Sequence, residues 1–350
     1  QVTQQICKMA RWPHQQLINR VRAARVGSAG IIRKFEPDAI WSRSVAIGAG
    51  LRKGGFKGKL LQIFPTNARM DSKAFLQTNG LSFTRRATLL ALWPSAYAAS
   101  SYYERLLAKQ CELVTFSKNM RQQLLASLPQ DVGTCTVIRP GVDSSLFSPE
   151  QGAKHFDVIR ETYGLQRDEL IVLYVGRLSR AKNIPMLLDA VKLLKSKVKL
   201  VLVGDGTERQ SLECYAQAIG LADRLVFAGE QREWLPGFYA LSRVFVLPTI
   251  TESFGHVFLE ALSCGTPAVG FGGNGKDVLT ATREIICHGE SGRVAEYPTA
   301  PELAQELDAI LSLSKSDYSA MSQAARRNVV DRFTWQRFVS EAIELSQTTA

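Results

Sequence analysis

Short apolar runs rich in β-branched residues alternate with amphipathic stretches along most of the chain. In the second half the runs are LIVLYV from Leu170, KLVLVG from Lys199, LVFAG from Leu225, VFVLP from Val244 and PAVGF from Pro267. Each is bounded by Gly, Pro or polar residues, as buried strands are. Helical periodicity fills the intervals: after Asn183, which can cap the helix that follows, over Glu208 to Ile219, and over Glu233 to Leu241. A short strand RVAEY and three helices, Pro301–Ser314, Asp317–Val330 and Thr334–Ser346, finish the chain. The first half reads the same way. Strands are expected at AIWSRS, KLLQIF, ELVTFS and TCTVI. Helices are expected over residues 1–35, from Ile47 to Lys53, over 72–110 with a break near Pro94, and after the capping Ser117. Ser148 to Gly164 reads as a polar connector with one short helix. Strand–helix alternation argues for an α/β protein with parallel sheets.

The most informative stretch runs from Val244 to Phe271. A strand ends at Pro248, a polar loop spans Thr249–Gly255, and an apolar face at Val257, Leu259, Ala261 and Leu262 predicts a helix ending near Cys264–Gly265. The loop sits at the carboxyl end of a strand, the edge where open α/β sheets bind ligands. Phe254 and Gly255 open the helix and leave backbone N–H groups free for an anion. Glu252 lies in the loop and Glu260 about a turn and a half into the helix. Such carboxylates can accept from a sugar hydroxyl and a ribose diol. They would serve equally as a cap and a solvated glutamate. Arg177 and Lys182 stand in the loop after LIVLYV, a planar fork and a mobile point charge suited to a diphosphate. They too can be solvated loop cations.

Length changes the picture first. A chain of 350 residues exceeds what one core usually covers, so two domains are expected. Charge changes it next. Residues 1–150 carry 21 Lys and Arg against 8 Asp and Glu, a net +13, while the remainder holds 22 against 24, a net −2. A basic first half points to an acidic partner, such as an anionic membrane surface. No nucleic-acid motif accompanies the charge, so no nucleic-acid partner is expected. Six cysteines lie without Cys-x-x-Cys or zinc spacing, which fits structural thiols in a reducing compartment. No run of about 18 apolar residues predicts a transmembrane helix, and no signal peptide is read. The first residue is Gln, which suggests a processed or truncated start.

Several segments in one order resemble the retaining glycosyltransferases of family four. Arg139-Pro-Gly-Val-Asp143 with Leu146–Pro149 is similar to that family's interdomain segment. Gly176-Arg177-Leu178 with Lys182-Asn183 is similar to its phosphate-binding loop. Val203–Gly206 and Phe227–Gly229 resemble its nucleotide-side loops. Glu252-Ser-Phe-Gly through Glu260, with Cys264–Pro267, resembles its Glu-x7-Glu motif. The resemblance implies a GT-B fold: two Rossmann-like domains facing across a cleft, with a C-terminal helix crossing back to the first. The implied divisions are 1–148 for the acceptor side, lacking its first strand, 149–332 for the donor side, and 333–350 for the crossing helix.

The resemblance also implies roles. Arg177 and Lys182 would bind the diphosphate, with Gly176 in the same loop. Glu252 would contact the transferred sugar, with Ser253 and the Phe254 and Gly255 amides nearby. Glu260 would take the ribose hydroxyls, Gly229 would lie beside the base, and His256 would touch the donor or pack the helix start. Glu284 matches the glutamate of a stretched Gly-Gly-x-x-Glu pattern, and the first-domain histidine seen in many members has no counterpart in Phe64–Arg69. No metal or cofactor is expected: the donor would be a UDP- or GDP-linked sugar, and the acceptor a carbohydrate or lipid-linked molecule in envelope or capsule glycan synthesis. The expected location is cytoplasmic, at the inner membrane face. Two other readings remain open: a non-catalytic GT-B scaffold, and a sugar phosphorylase or epimerase on the same fold.

Overall fold

A computed structural model describes residues 13–67, 83–130, 132 and 134–348, with the side chains of 13–16, 31 and 83–93 outside that description. The chain divides into two compact units, the first reaching Arg139 and including Glu341 onward, the second spanning Pro140–Ser340.

The first unit is built on a four-stranded parallel sheet in the order β1-β2-β3-β4. These strands are Ala39–Ser42, Lys59–Ile63, Glu112–Thr115 and Cys135–Val137. Its helices are α1 (Pro13–Phe35), α2 (Val45–Lys53), α3 (Phe83–Gln110) and α4 (Lys118–Leu125). Ser117 caps α4 as its sequence predicts, its hydroxyl accepting from Met120 N at 3.0 Å. The expected break near Pro94 does not occur: α3 runs through the proline. One missing N–H is outweighed there by the helix-forming Ala- and Leu-rich run around it. His14 lies on α1, but its side chain is outside the described residues, as are Ala68 and Arg69.

The second unit opens with two short helices, α5 (Pro149–Ala153) and α6 (Phe156–Tyr163), where one was expected. Its sheet is all-parallel, in the order β12-β10-β8-β5-β6-β7. The first three strands in the chain are β5 (Leu170–Val175), β6 (Val198–Val203) and β7 (Leu225–Gly229). Then come β8 (Val244–Leu247), β10 (Ala268–Phe271) and β12 (Gly292–Ala295). Val172, Leu173, Val201, Phe245 and Val269 are fully buried, because helices cover both faces of a parallel sheet. The intervening helices are α7 (Ile184–Leu193), α8 (Arg209–Ala218), α9 (Leu235–Leu241), α10 (His256–Ser263) and α11 (Thr282–Ile285). Last come α12 (Ala300–Leu311), α13 (Lys315–Arg332) and α14 (Trp335–Gln347).

One segment read as loop is partly strand. Thr251–Glu252 (β9) pairs in parallel with Leu279–Thr280 (β11), in a ladder outside the main sheet. Two residues carry too little pattern to be seen in sequence, and only the partner strand defines them.

Candidate functional site

The order of the second sheet creates a switch point. From β5 the chain winds outward through β6 and β7, then returns to β8 on the other side of β5 and winds through β10 and β12. The loops leaving β5 and β8 therefore diverge from adjacent strand ends, which opens a crevice at the carboxyl edge. The loop after β5 carries Gly176, Arg177 and Lys182. The segment after β8 carries Glu252, Ser253, Phe254, Gly255 and His256.

These two segments meet. Lys182 Nζ donates to Glu252 Oε2 at 2.7 Å, across 70 residues of sequence. Both side chains are mostly sheltered from water. The spacing treats them as separate groups, one for phosphate and one for sugar, yet they form an ion pair. Pairing holds Glu252 by one oxygen and leaves its second oxygen for a ligand. Arg177 is exposed in the same loop, and its carbonyl accepts from Tyr174 Oη at 3.0 Å. Tyr174 is fully buried on β5, and burial raises its phenol so far that it remains a donor. The loop after β5 is thus tied to its own strand.

Asn183 behaves differently from its sequence expectation. It makes no side-chain cap to α7 but adopts a left-handed conformation, φ 54° and ψ 36°. Its amide instead donates to the carbonyl of Pro248 at 3.1 Å. Pro248 directly follows β8, so Asn183 joins the two loops that carry Lys182 and Glu252. A residue in αL costs roughly 1 kcal/mol unless its surroundings hold it there, as this tether does.

Glu252 is placed by β9, and α10 starts immediately beyond it. Gly255 precedes the helix at φ 91°, a conformation suited to glycine, and makes no side-chain cap. In the first turn of α10, Phe258 N donates to the Gly255 carbonyl at 3.0 Å. Phe254 has a buried side chain that packs on His256 and Phe333, with ring centroids 5.4 and 6.1 Å away. Its ring faces the core, so only its backbone can serve a ligand. Glu260 lies one turn on, partly exposed, and accepts from Tyr239 Oη at 2.7 Å. Burial pushes the Glu260 carboxyl up from its usual range, and the tyrosine bond works in the opposite direction. Tyr239 carries no motif signal, and only the tertiary structure brings it to Glu260.

The glycine loops form a second tier beside this pair. Gly204 N donates to Gly229 O at 2.7 Å, and Gly176 N to Val203 O at 2.9 Å. A Cβ on Gly204, already at φ 132°, would run into the Gly176 carbonyl. Gly176, Gly204 and Gly229 thus let the ends of β5, β6 and β7 come together. The GGNGKD stretch is ordered by Asn274, whose Oδ1 accepts from the amides of Lys276, Asp277 and Val278. Glu284 sits on α11, where its carbonyl accepts from Arg332. Among the described residues no group of three or more His, Cys, Asp or Glu could hold a metal.

Residues 155–328 match the family described as glycosyl transferases group 1. An uncharacterized glycosyltransferase of Methanocaldococcus jannaschii is 29% identical over 242 residues, covering 68% of this chain and 60% of that protein. The GDP-mannose-dependent alpha-(1-6)-phosphatidylinositol monomannoside mannosyltransferase of Mycolicibacterium smegmatis is 28% identical, covering 69% of this chain and 63% of that protein. The chain thus spans less than two thirds of the length of these relatives. Among solved structures, sucrose-phosphate synthase of Thermosynechococcus elongatus aligns with a TM-score of 0.74 at 22% identity, over 95% of this chain and 77% of that one. Anabaena HepE in complex with UDP and glucose aligns with a TM-score of 0.72 at 20% identity, over 95% and 82%. At such identities the structural likeness speaks for the fold. The chain therefore has the GT-B fold, and its second unit carries a glycosyl transferases group 1 domain.

Proposed function

We propose that the protein transfers a sugar from a nucleoside-diphosphate donor to a hydroxyl acceptor, with retention of anomeric configuration. The observation that carries this reading is the Lys182–Glu252 pair, which joins the loops after β5 and β8 at the switch point of the sheet. The solved relative with UDP and glucose supports a nucleotide-sugar donor. Arg177 and Lys182 neutralise the diphosphate as its bond to the sugar breaks and charge grows on the leaving group. Glu252 accepts a sugar hydroxyl with its free oxygen, and Glu260 accepts from the ribose diol. Gly229 flanks the base, and Ser253, Gly255 and His256 line the donor at the start of α10.

In this mechanism the acceptor hydroxyl attacks C1 on the face that the diphosphate leaves. The C1–O bond to phosphate breaks, the new glycosidic bond forms, and a departing phosphate oxygen takes the hydroxyl proton. The two cations supply the charge compensation, so turnover is expected to survive chelation of divalent metals by EDTA. The decisive test is donor turnover: wild type should release nucleoside diphosphate with a glycosylated product, and Lys182→Ala and Glu260→Ala should lose that activity. Intact turnover in both variants would sink the assignment. A product with inverted anomeric configuration by proton NMR would replace the same-face mechanism. A thermal-shift screen across UDP-, GDP- and ADP-sugars identifies the base.

The acceptor we propose is lipid-linked or polysaccharide, in envelope or capsule glycan synthesis, reached at an anionic membrane face. α1 supports this. It contains no acidic residue, exposes Arg20, Arg22, Arg25, Arg33 and Lys34, and presents Val26 and Phe35 at 78% and 66% exposure. Basic and apolar groups on one helix suit a membrane surface. No helix among the described residues is long and apolar enough to cross a membrane. Liposome flotation should depend on anionic lipid and weaken in high salt; indifference to both would remove the membrane from the proposal.

A further inference from the structure

We propose that Tyr239 is a positioning residue for nucleotide recognition, its hydroxyl fixing the Glu260 carboxylate so that the acid meets a ribose diol edge-on. This rests on the role given to Glu260 above and adds the group that makes that role possible.

Glu260 stands on α10 and Tyr239 on α9, 21 residues earlier, so no local periodicity links them. The tyrosine is fully buried and its ring cannot swing. It packs edge-on against Phe147 at 6.0 Å and Phe245 at 5.6 Å, the latter packed edge-on in turn against Phe258 of α10. Its backbone is pinned too, since Thr266 Oγ1 donates to the Tyr239 carbonyl at 2.6 Å. Thr266 lies just past α10, so the helix bearing Glu260 is fastened to Tyr239 at both levels. The hydroxyl therefore sits at a fixed point, 2.7 Å from Glu260 Oε2.

Two consequences follow for the acid. Burial and the facing carboxylate keep the Tyr239 phenol protonated, so it always donates. Oε2 is then always an acceptor, and the rotation of the carboxyl about its last torsion is stopped. An ionised carboxylate has about four lone-pair sites, of which Tyr239 takes one. The remaining lone pairs are enough to accept from two adjacent hydroxyls. Without the phenol the carboxyl would turn freely, and a vicinal diol would gain no more than one hydroxyl does.

The test uses Tyr239→Phe, which keeps the ring and its edge-on contacts. Binding of UDP and GDP is compared with that of their 2′-deoxy and 3′-deoxy counterparts by calorimetry, in wild type, Tyr239→Phe, Glu260→Gln and the double variant. Wild type should prefer the ribonucleotide. Tyr239→Phe should cut that preference by about tenfold, the value of one hydrogen bond to a charged group, with little change in affinity for the deoxy forms. The double variant should bind no worse than Glu260→Gln alone, because both act through one contact. Equal weakening of ribo and deoxy ligands would overturn the inference and make Tyr239 a packing residue. So would failure of Tyr239→Phe to fold. If wild type binds both forms alike, or Glu260→Gln leaves the preference intact, the diol role of Glu260 fails and this inference with it. Unchanged preference in Tyr239→Phe alone, with Glu260→Gln defective, refutes only Tyr239.

Discussion

At the residue scale, the site is a set of charges held under constraint. Glu260 is the clearest case. Its folded-state pKa is raised by burial above the ordinary 4.5. The folded protein then binds that proton more tightly than the unfolded chain does, and stability falls as pH rises through and above 4.5. Glu260→Gln removes the ionisation. The melting temperature of the variant, relative to wild type, should therefore rise between pH 4 and pH 7 while donor turnover is lost. A residue that costs stability where the protein works is explained by function. Lys182 makes the complementary prediction. Lys182→Ala should lower kcat about 100-fold, in line with the loss of one preorganised donor to a developing charge, with a small change in melting temperature. Steady-state kinetics beside a thermal melt checks both halves. Asn183 separates conformation from contact. Asn183→Gly keeps the left-handed backbone but deletes the amide to Pro248, whereas Asn183→Ala loses both.

At the element scale, the strand ends converge because glycines let them. Gly204→Ala would press a methyl onto the Gly176 carbonyl at a backbone angle that side chains avoid. It should cost about 3 kcal/mol by urea denaturation, well above an exposed Gly→Ala change. The α/β alternation that supports these loops was legible in sequence. LIVLYV reads as a buried strand because both of its faces are covered, and the structure begins and ends it at the same residues. The two-residue β9–β11 ladder was not legible, since each strand has meaning only beside the other. Nor was the passage of α3 through Pro94, where the surrounding run outweighs a local breaker.

At the scale of the whole molecule, the chain crosses between its two units twice, after Arg139 and after Ser340. The second crossing lies within α14, whose last turns belong to the first unit. There Lys59 Nζ donates to the carbonyls of Leu345 and Thr348, at 2.5 and 2.6 Å, and pairs with Glu112 at 3.1 Å. Trp41 Nε1 donates to Ser346 Oγ at 2.8 Å. A cation at a helix C-terminus satisfies carbonyls that have no partner in the helix and meets the negative end of its dipole. Lys59→Met should release this end, destabilise the protein by about 2 kcal/mol, and make the last turns of α14 sensitive to limited proteolysis. Unchanged cleavage kinetics would show that the latch is dispensable.

The sequence by itself determined the class of fold, the strands with continuous apolar runs, the basic first half, and which side chains are candidates for the chemistry. Those features are local: they follow from periodicity, turn residues and residue type within a dozen positions. Tertiary structure alone decided who meets whom. Lys182 pairs with Glu252 across 70 residues and Asn183 reaches Pro248, because β5 and β8 become neighbours although β6 and β7 lie between them in the chain; Tyr239 meets Glu260 because the helices on either side of β8 pack together. Strand order is set by the energy of the complete sheet and its covering helices, so no short stretch of sequence encodes it.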